Sequence, residues 1–175
     1  MVIGALCGVP IYICYTQCMI SRFIPHISAN AHCDIPCGIY DPTPAKIAAK
    51  TMVRMLEQVD ALEKPDWADK HMVGHYLQSV TRRVATKDEH AEKCKQELYV
   101  LWSDFFKPEH LKDFPDLHDR FWKAIKLCSK VRQDGDTESA KQLLDAVDGI
   151  AHMFYSAKSD PARYDAYKQI TDKLY

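Results

Sequence analysis

Apolar residues recur at alternating steps of three and four along this chain. The clearest series is Ala91, Cys94, Leu98, Leu101 and Phe105. Because an α-helix completes a turn every 3.6 residues, this spacing places all five side chains on one helical face. No stretch shows a credible alternation of period two, which would indicate a half-buried strand. The sequence therefore predicts an all-α fold.

Three more stretches carry the same pattern, and breaks at Pro65, Pro108, Pro115 and Gly135 separate the helical stretches. The apolar series are Met52, Met55, Leu56, Val59 and Leu62; Leu117, Phe121, Ala124, Cys128 and Val131; and Leu143, Val147, Ile150 and Phe154. The second of the four helices is expected from about Asp66 to Phe106. Four one-sided helices joined by short connections predict an antiparallel up-and-down four-helix bundle. A short piece after Asp160 is expected to pack on the bundle or on a neighbour.

Ahead of these helices, residues 32–42 read HCDIPCGIYDP and are a candidate metal site, which we call the hook. The segment holds His32, Cys33 and Cys37, and a proline and a glycine favour a tight reversal around the second cysteine. Cysteine and histidine select late first-row transition metals. A lone C-x-x-x-C is more often a zinc half-site or a disulfide, but no second Cys/His pair stands at zinc-finger spacing.

The residues before the hook, SANA at positions 28–31, are small ones of the kind after which processing proteases cut. Cleavage after Ala31 would make the α-amine of His32 a ligand. That amine, the Cys33 amide nitrogen and the Cys33 sulfur could chelate one ion in fused rings, with Cys37 as a second thiolate. Two nitrogens and two sulfurs in a plane favour nickel or copper, since zinc prefers a tetrahedron.

The hook closely resembles the N-terminal nickel hook of nickel-containing superoxide dismutases. Two further blocks, LWSDFFKP at 101–108 and FPDLH at 114–118, follow in the order that the family shows. The resemblance implies an up-and-down helical bundle that assembles as a homohexamer with one nickel ion per subunit. It also implies an oxidoreductase that disproportionates superoxide to dioxygen and hydrogen peroxide.

The resemblance assigns roles to five residues of the hook. His32, Cys33 and Cys37 would be the metal ligands, and the two thiolates would bring the metal couple between the two half-reactions. Tyr40 matches the tyrosine over the open face of the metal, where it would order water and exclude larger anions. Asp34 matches a position whose hydrogen bonds help to fix the loop, and a structural role in the turn is equally consistent with it.

Three positions depart from the family pattern. Ala48 stands where a family member has a glutamate that orients the axial imidazole, and His90 stands where it has an arginine from a neighbouring subunit. Phe105 aligns with a second tyrosine near the metal. The partner of the His32 imidazole is therefore open. His90 would take over this task if one of its ring nitrogens bonded the imidazole across a subunit contact.

Residues 1–31 are expected to be a leader that is removed on maturation, leaving 32–175 as a single domain. Residues 1–21 carry no charged side chain, but no basic residue precedes the apolar run and Pro10 interrupts it. We favour a start at Met19, with 1–18 untranslated and a short prosequence removed by a dedicated maturation protease. The expected location is then the cytoplasm, without stable membrane insertion after cleavage; a signal peptide would instead imply export.

The charge balance argues against nucleic-acid binding. Without the leader, whose one charged residue is Arg22, the chain has 22 Lys and Arg against 24 Asp and Glu, a net charge of −2. Cys94 and Cys128 fall at helical core positions, where inert buried thiols are expected.

Two other functions fit the residues alone. The chain could be a non-catalytic protein that binds or delivers nickel or copper, or a structural helical protein whose hook closes as a Cys33–Cys37 disulfide. His71 and His75, spaced i, i+4, could also share a helical face as metal ligands. No H-E-x-x-H pattern supports them, and surface or packing histidines are the commoner case.

Overall fold

The computed structural model describes residues 39–174, and within that range every regular element is helical. The α-helices are α1 (Thr43–Asp60), α2 (Lys70–Val100), α3 (Leu117–Asp134), α4 (Thr137–Ala157) and α5 (Pro161–Thr171). A π-helical turn at Leu101–Phe105 continues α2, and a 3-10 turn at Pro108–Lys112 follows it. The predicted all-α class is confirmed. None of the helices between residues 39 and 174 is long and apolar enough to cross a membrane.

Local chemistry sets the helix ends. The Asp69 carboxylate accepts hydrogen bonds from the backbone N–H groups of His71 and Met72, so α2 begins at Lys70 and not near Asp66 as predicted. Asp66 instead closes a turn by accepting from the Ala68 N–H at 2.9 Å. At the end of α3, Gly135 adopts φ 64°, a left-handed conformation that favours glycine as a helix stop.

The four predicted apolar faces meet in one core. The helix α1 packs against α2 and α4, and α3 packs against the same two helices. Phe121, Leu98 and Leu143 are fully buried, each from a different helix. Arg83 of α2 bonds Gln58 near the end of α1, and Lys87 of α2 bonds Val131 near the end of α3. Further along α2, Lys95 contacts Ser129, so residue numbers rise along α2 as they fall along α3 and the two helices run antiparallel. The short connection 61–69 reverses the chain between α1 and α2, as the bundle prediction requires.

The helix α2 extends well past the end of α3. Because Val131, near the end of α3, lies beside Lys87, residues 70–82 extend beyond α3 by about 20 Å at 1.5 Å per residue. The connection 61–69 folds back along this extension, where Pro65 is buried and Trp67 lies edge-on to Tyr76 at 6.0 Å. We refer to residues 61–82 as the distal arm.

The C-terminal helix α5 packs on the bundle through buried charges. Lys46 of α1, whose side chain is only 3% exposed, bonds both carboxylate oxygens of Asp148 on α4. Asp148 also accepts from the Tyr167 hydroxyl at 3.2 Å and from Lys168 at 3.1 Å, both on α5. Burial and the Asp148 charge raise the pKa of Tyr167 well above its usual range, so its hydroxyl stays a donor. Of the two placements that the sequence left open for this piece, the structure shows contact with its own bundle.

We predict that Asp148→Ala destabilises the fold by about 3 kcal/mol, because it leaves the buried Lys46 ammonium with only a weaker partner, Asp172 at 3.5 Å. Urea unfolding followed by circular dichroism measures the change. Asp145→Ala, an exposed carboxylate on the same helix, is the matched control and should shift stability by no more than about 0.5 kcal/mol. Equal losses in the two variants would contradict the assigned role of Asp148.

Candidate metal centre

Residues 39–41, near the end of the hook, join the bundle at one aromatic end. The half-buried Tyr40 ring lies edge-on to Phe105, with centroids 5.8 Å apart and planes at 60°. Phe105 in turn packs on Phe154 of α4 at 4.4 Å. Tyr40, which the family resemblance places over the metal, is therefore held against the core of the subunit.

The π-helical turn shapes this end. The Phe106 N–H bonds the Leu101 carbonyl five residues back, at 3.1 Å, which adds one residue to the helical turn. The adjacent side chains of Phe105 and Phe106 then pack in different places. Phe106 is buried against Phe121 in the core, whereas Phe105 is half-buried between Tyr40 and Phe154. Phe105 thus gives the aromatic contact that a tyrosine could give, without a hydroxyl.

A cation covers one edge of the aromatic end. The Lys158 ammonium, just past the end of α4, lies 4.8 Å from the Phe154 ring centroid and 5.8 Å from that of Phe105. Such cation–π contacts are worth about 0.5–1 kcal/mol at exposed sites. On the other side His110 stacks on Phe105, and its Nδ1 accepts the Lys107 backbone N–H at 3.0 Å.

The two sequence blocks that accompany the hook contact each other directly. Trp102 of the first block donates its indole N–H to Nδ1 of His118 in the second, at 2.8 Å, and stacks parallel to Phe121. With Nδ1 accepting, the imidazole proton of neutral His118 lies on Nε2. The blocks therefore build the aromatic end and join α3 to it.

Asp41 anchors the chain that leaves the hook. Its carboxylate accepts from the Thr43 N–H at 2.7 Å and from the Tyr155 hydroxyl at 3.3 Å, and it lies 3.9 Å from the Arg163 guanidinium. Burial and the charge of Asp41 raise the pKa of Tyr155 to about 12, so this hydroxyl remains a donor at physiological pH. One side chain thereby ties the residue next to Tyr40 to α1, α4 and α5. Its position before Pro42, Thr43 and Pro44 indicates only a helix start, because the contacts with Tyr155 and Arg163 have no local signal in the sequence.

The positions that depart from the family pattern are in the described range. Ala48 is buried in α1, and His90 is half-buried on α2 with Nδ1 2.9 Å from the Thr86 carbonyl of its own helix. Because a carbonyl can only accept, this Nδ1 carries the proton and Nε2 keeps the lone pair in the neutral ring. The predicted bond between His90 and His32 is not tested, since His32 lies outside the described residues.

The other predicted hook residues, Cys33, Asp34 and Cys37, also lie outside the described residues; Tyr40 lies within them. Within residues 39–174 no three His, Cys, Asp or Glu side chains come together as a metal site. Cys94 and Cys128 are buried in the core, and their thiol hydrogen bond together with burial raises the pKa of Cys94. Protonated core thiols are poor ligands. The amine, imidazole and thiolate donors that the sequence predicts at residues 32–37 would suit nickel.

Comparisons with known proteins agree with this reading. The family model of nickel-containing superoxide dismutase matches residues 27–158. The nickel superoxide dismutase of Streptomyces seoulensis is 35% identical over 141 residues, covering 80% of this chain and 98% of the relative. That of Streptomyces coelicolor is 33% identical with the same coverage.

Solved structures show the same fold. A crystal structure of a nickel-containing superoxide dismutase, with the nickel ligation of the oxidised state, aligns with a TM-score of 0.63 at 33% identity. It covers 73% of this chain and 99% of the other chain. A native nickel superoxide dismutase structure aligns with a TM-score of 0.61 at 32% identity, with the same coverage.

An all-α bundle with these relatives is a redox metalloenzyme of the nickel class. The chain belongs to the nickel-containing superoxide dismutase family. It is a nickel-dependent oxidoreductase, and its substrate is superoxide. The family match ends at residue 158, so α5 lies beyond the matched region.

We predict that Asp41→Ala lowers nickel retention as well as stability, because the chain next to Tyr40 loses its ties to Tyr155 and Arg163. The lost cap at Thr43 should cost about 1 kcal/mol. Asp136→Ala removes the cap of α4 and is the control, since Asp136 bonds only nearby groups of α4. Nickel per chain after dialysis against a chelator, with thermal unfolding on the same samples, separates the effects. Equal nickel retention in both variants would refute the anchoring role.

Proposed function

We propose that the hook residues hold the nickel ion of this enzyme. His32 supplies its α-amine and imidazole, Cys33 its amide nitrogen and thiolate, and Cys37 the second thiolate. Two observations support this proposal. The family match begins at residue 27 and so includes the hook, and the described residues 39–174 offer no competing cluster of ligands.

The donor groups of the hook would adjust the redox potential of the metal for superoxide disproportionation. Nickel, when bound, supplies a one-electron couple that removes an electron from one superoxide and returns it to a second. The thiolates of Cys33 and Cys37 donate charge strongly, which stabilises the higher oxidation state. The His32 imidazole would add a further nitrogen donor to the metal. The overall reaction consumes two superoxide ions and two protons and yields dioxygen and hydrogen peroxide.

Tyr40 controls access to the metal in this proposal. Its ring is seated edge-on against Phe105, which limits how far the side chain can swing. From this position it orders water and excludes anions larger than superoxide. Asp34 fixes the hook loop through hydrogen bonds, and Asp41 fixes the chain that leaves it.

Maturation is part of the proposed function, since His32 must be the first residue to offer its amine. Translation then starts at Met19, a dedicated protease removes the prosequence 19–31, and 32–175 form the mature domain. A short prosequence of this kind suits maturation in the cytoplasm.

We propose a homohexamer as the functional assembly, as the family resemblance implies. Side chains that a lone subunit leaves exposed, including Ile47 on α1 and Trp122 on α3, offer apolar surface for subunit contacts. A hook buried at such a contact would be rigid and open only to small molecules, whereas a short unpacked loop stays mobile.

The first test is the N-terminus. A chain that keeps Ala31 before His32 should show only background superoxide turnover after nickel loading, because the amine has become an amide and the chelate has changed. The same preparation cleaved to His32 is the control, with both termini checked by mass spectrometry. Normal turnover by the uncleaved chain would refute the ligand assignment.

The second test sets a hook cysteine against a core cysteine. Cys37→Ser should abolish turnover and leave the helical circular dichroism nearly unchanged, since the hook contributes little apolar burial. Cys94→Ser should instead lower the free energy of unfolding and leave the turnover of the folded protein unchanged. It places a hydroxyl in the core at a cost of about 1–3 kcal/mol, yet the folded fraction should stay active. Collapse of the helical signal in Cys37→Ser would indicate a structural metal instead.

A further inference from the structure

The distal arm carries a pair of histidines that the catalytic proposal does not use. His71 and His75 lie on the first two turns of α2, where both side chains are exposed. Their ring centroids are 4.6 Å apart, with the ring planes at 67°. Asp69 caps the helix just before them, so the i, i+4 geometry is set by regular helix and not by a loop.

Three of the other four histidines in the described range have a hydrogen bond at Nδ1, and the fourth, His152, packs edge-on against Tyr164. His90, His110 and His118 each have Nδ1 within 3.0 Å of a polar partner. For His71 and His75 the structure shows ring-to-ring packing, and no described residue forms a hydrogen bond with either imidazole. Their ring nitrogens are thus available to a ligand from solution.

The surroundings leave room for that ligand. The pair opens onto a groove of about 340 Å³. Other lining residues are Leu62, Glu63, Lys64, Pro65, Met72 and Tyr76. The groove is open to solvent, so water can complete the coordination of an ion held by two imidazoles. Glu63 and Lys64 both line the groove, so together they add no net charge to it.

We propose that His71 and His75 form a chelating site for a borderline divalent cation, with Ni²⁺ as the ion to test first. Imidazole is a preferred ligand of nickel, copper and zinc. Two histidines four residues apart lie on the same helical face and can coordinate one ion between them. Two protein ligands hold an ion less firmly than a full donor set, so the bound ion exchanges readily.

The site is distinct from the aromatic end that receives the hook. Between His75 and Leu101 the helix rises about 39 Å at 1.5 Å per residue. Occupation of the pair is therefore independent of Tyr40 and its neighbours. The mature protein binds a second, exchangeable nickel ion at the opposite end of α2.

Equilibrium dialysis of the nickel-loaded mature enzyme against Ni²⁺ tests the proposal, with nickel per chain measured by atomic absorption. We expect a second equivalent that a brief chelator wash removes while the first stays. The double variant Lys70→His with His71→Lys keeps composition and charge but separates the imidazoles by five residues, on different faces of the helix. It should bind the second ion at least about tenfold more weakly, because the chelate is lost.

Two controls make the result decisive. His152→Ala, which alters an exposed histidine packed against Tyr164, should keep the second ion. Superoxide turnover and circular dichroism should be unchanged in the double variant, since neither exchanged residue contacts the hook's anchor. Absence of a second equivalent in the wild-type enzyme, or equal binding by the double variant, would overturn the proposal.

Discussion

Mutual burial of four apolar helix faces is the constraint on which the rest of the subunit depends. Phe121 and Leu143 are fully buried in this core, and cross-links such as Lys87 to Val131 set how far each helix extends past its neighbour. Because α2 is longer than the helices beside it, one end of the bundle carries the distal arm. At the other end the π-helical turn presents Phe105 to Tyr40. The bundle thus positions the root of the hook, and among its described residues no three His, Cys, Asp or Glu side chains come together as a metal site.

Fold and site differ in how far the sequence alone could predict them. The spacing of the apolar residues and the positions of proline and glycine were enough to predict the all-α class and the four core faces. Leu98 and Phe121, for example, are buried where a 3.6-residue repeat places them. Helix starts were less certain, because Asp66 and Asp69 are both good caps and only the turn geometry chooses between them. Contacts between residues far apart in sequence had no local signal. Asp41 reads as a helix cap, and its bond to Tyr155 depends on how α4 packs.

The C-terminal helix shows how a segment beyond the family match can become part of the fold. A buried ammonium at Lys46 would be costly alone, and the Asp148 carboxylate offsets that cost. Tyr167 and Lys168 of α5 satisfy the remaining capacity of that carboxylate, and Arg163 reaches Asp41. The helix α5 therefore completes a polar network with α1 and α4, and this network lies close to Asp41 at the end of the hook.

The placement of thiols suits an enzyme whose product is hydrogen peroxide. Peroxide oxidises thiolates far more readily than thiols, and access to the sulfur is a second requirement. Cys94 and Cys128 are both buried, so neither sulfur is accessible, and the pKa of Cys94 is also raised by its bond to Cys128 and by burial. In the proposed site the thiolates of Cys33 and Cys37 are instead shared with nickel. Reactive sulfur is then confined to the hook, and the core keeps its cysteines only as packing.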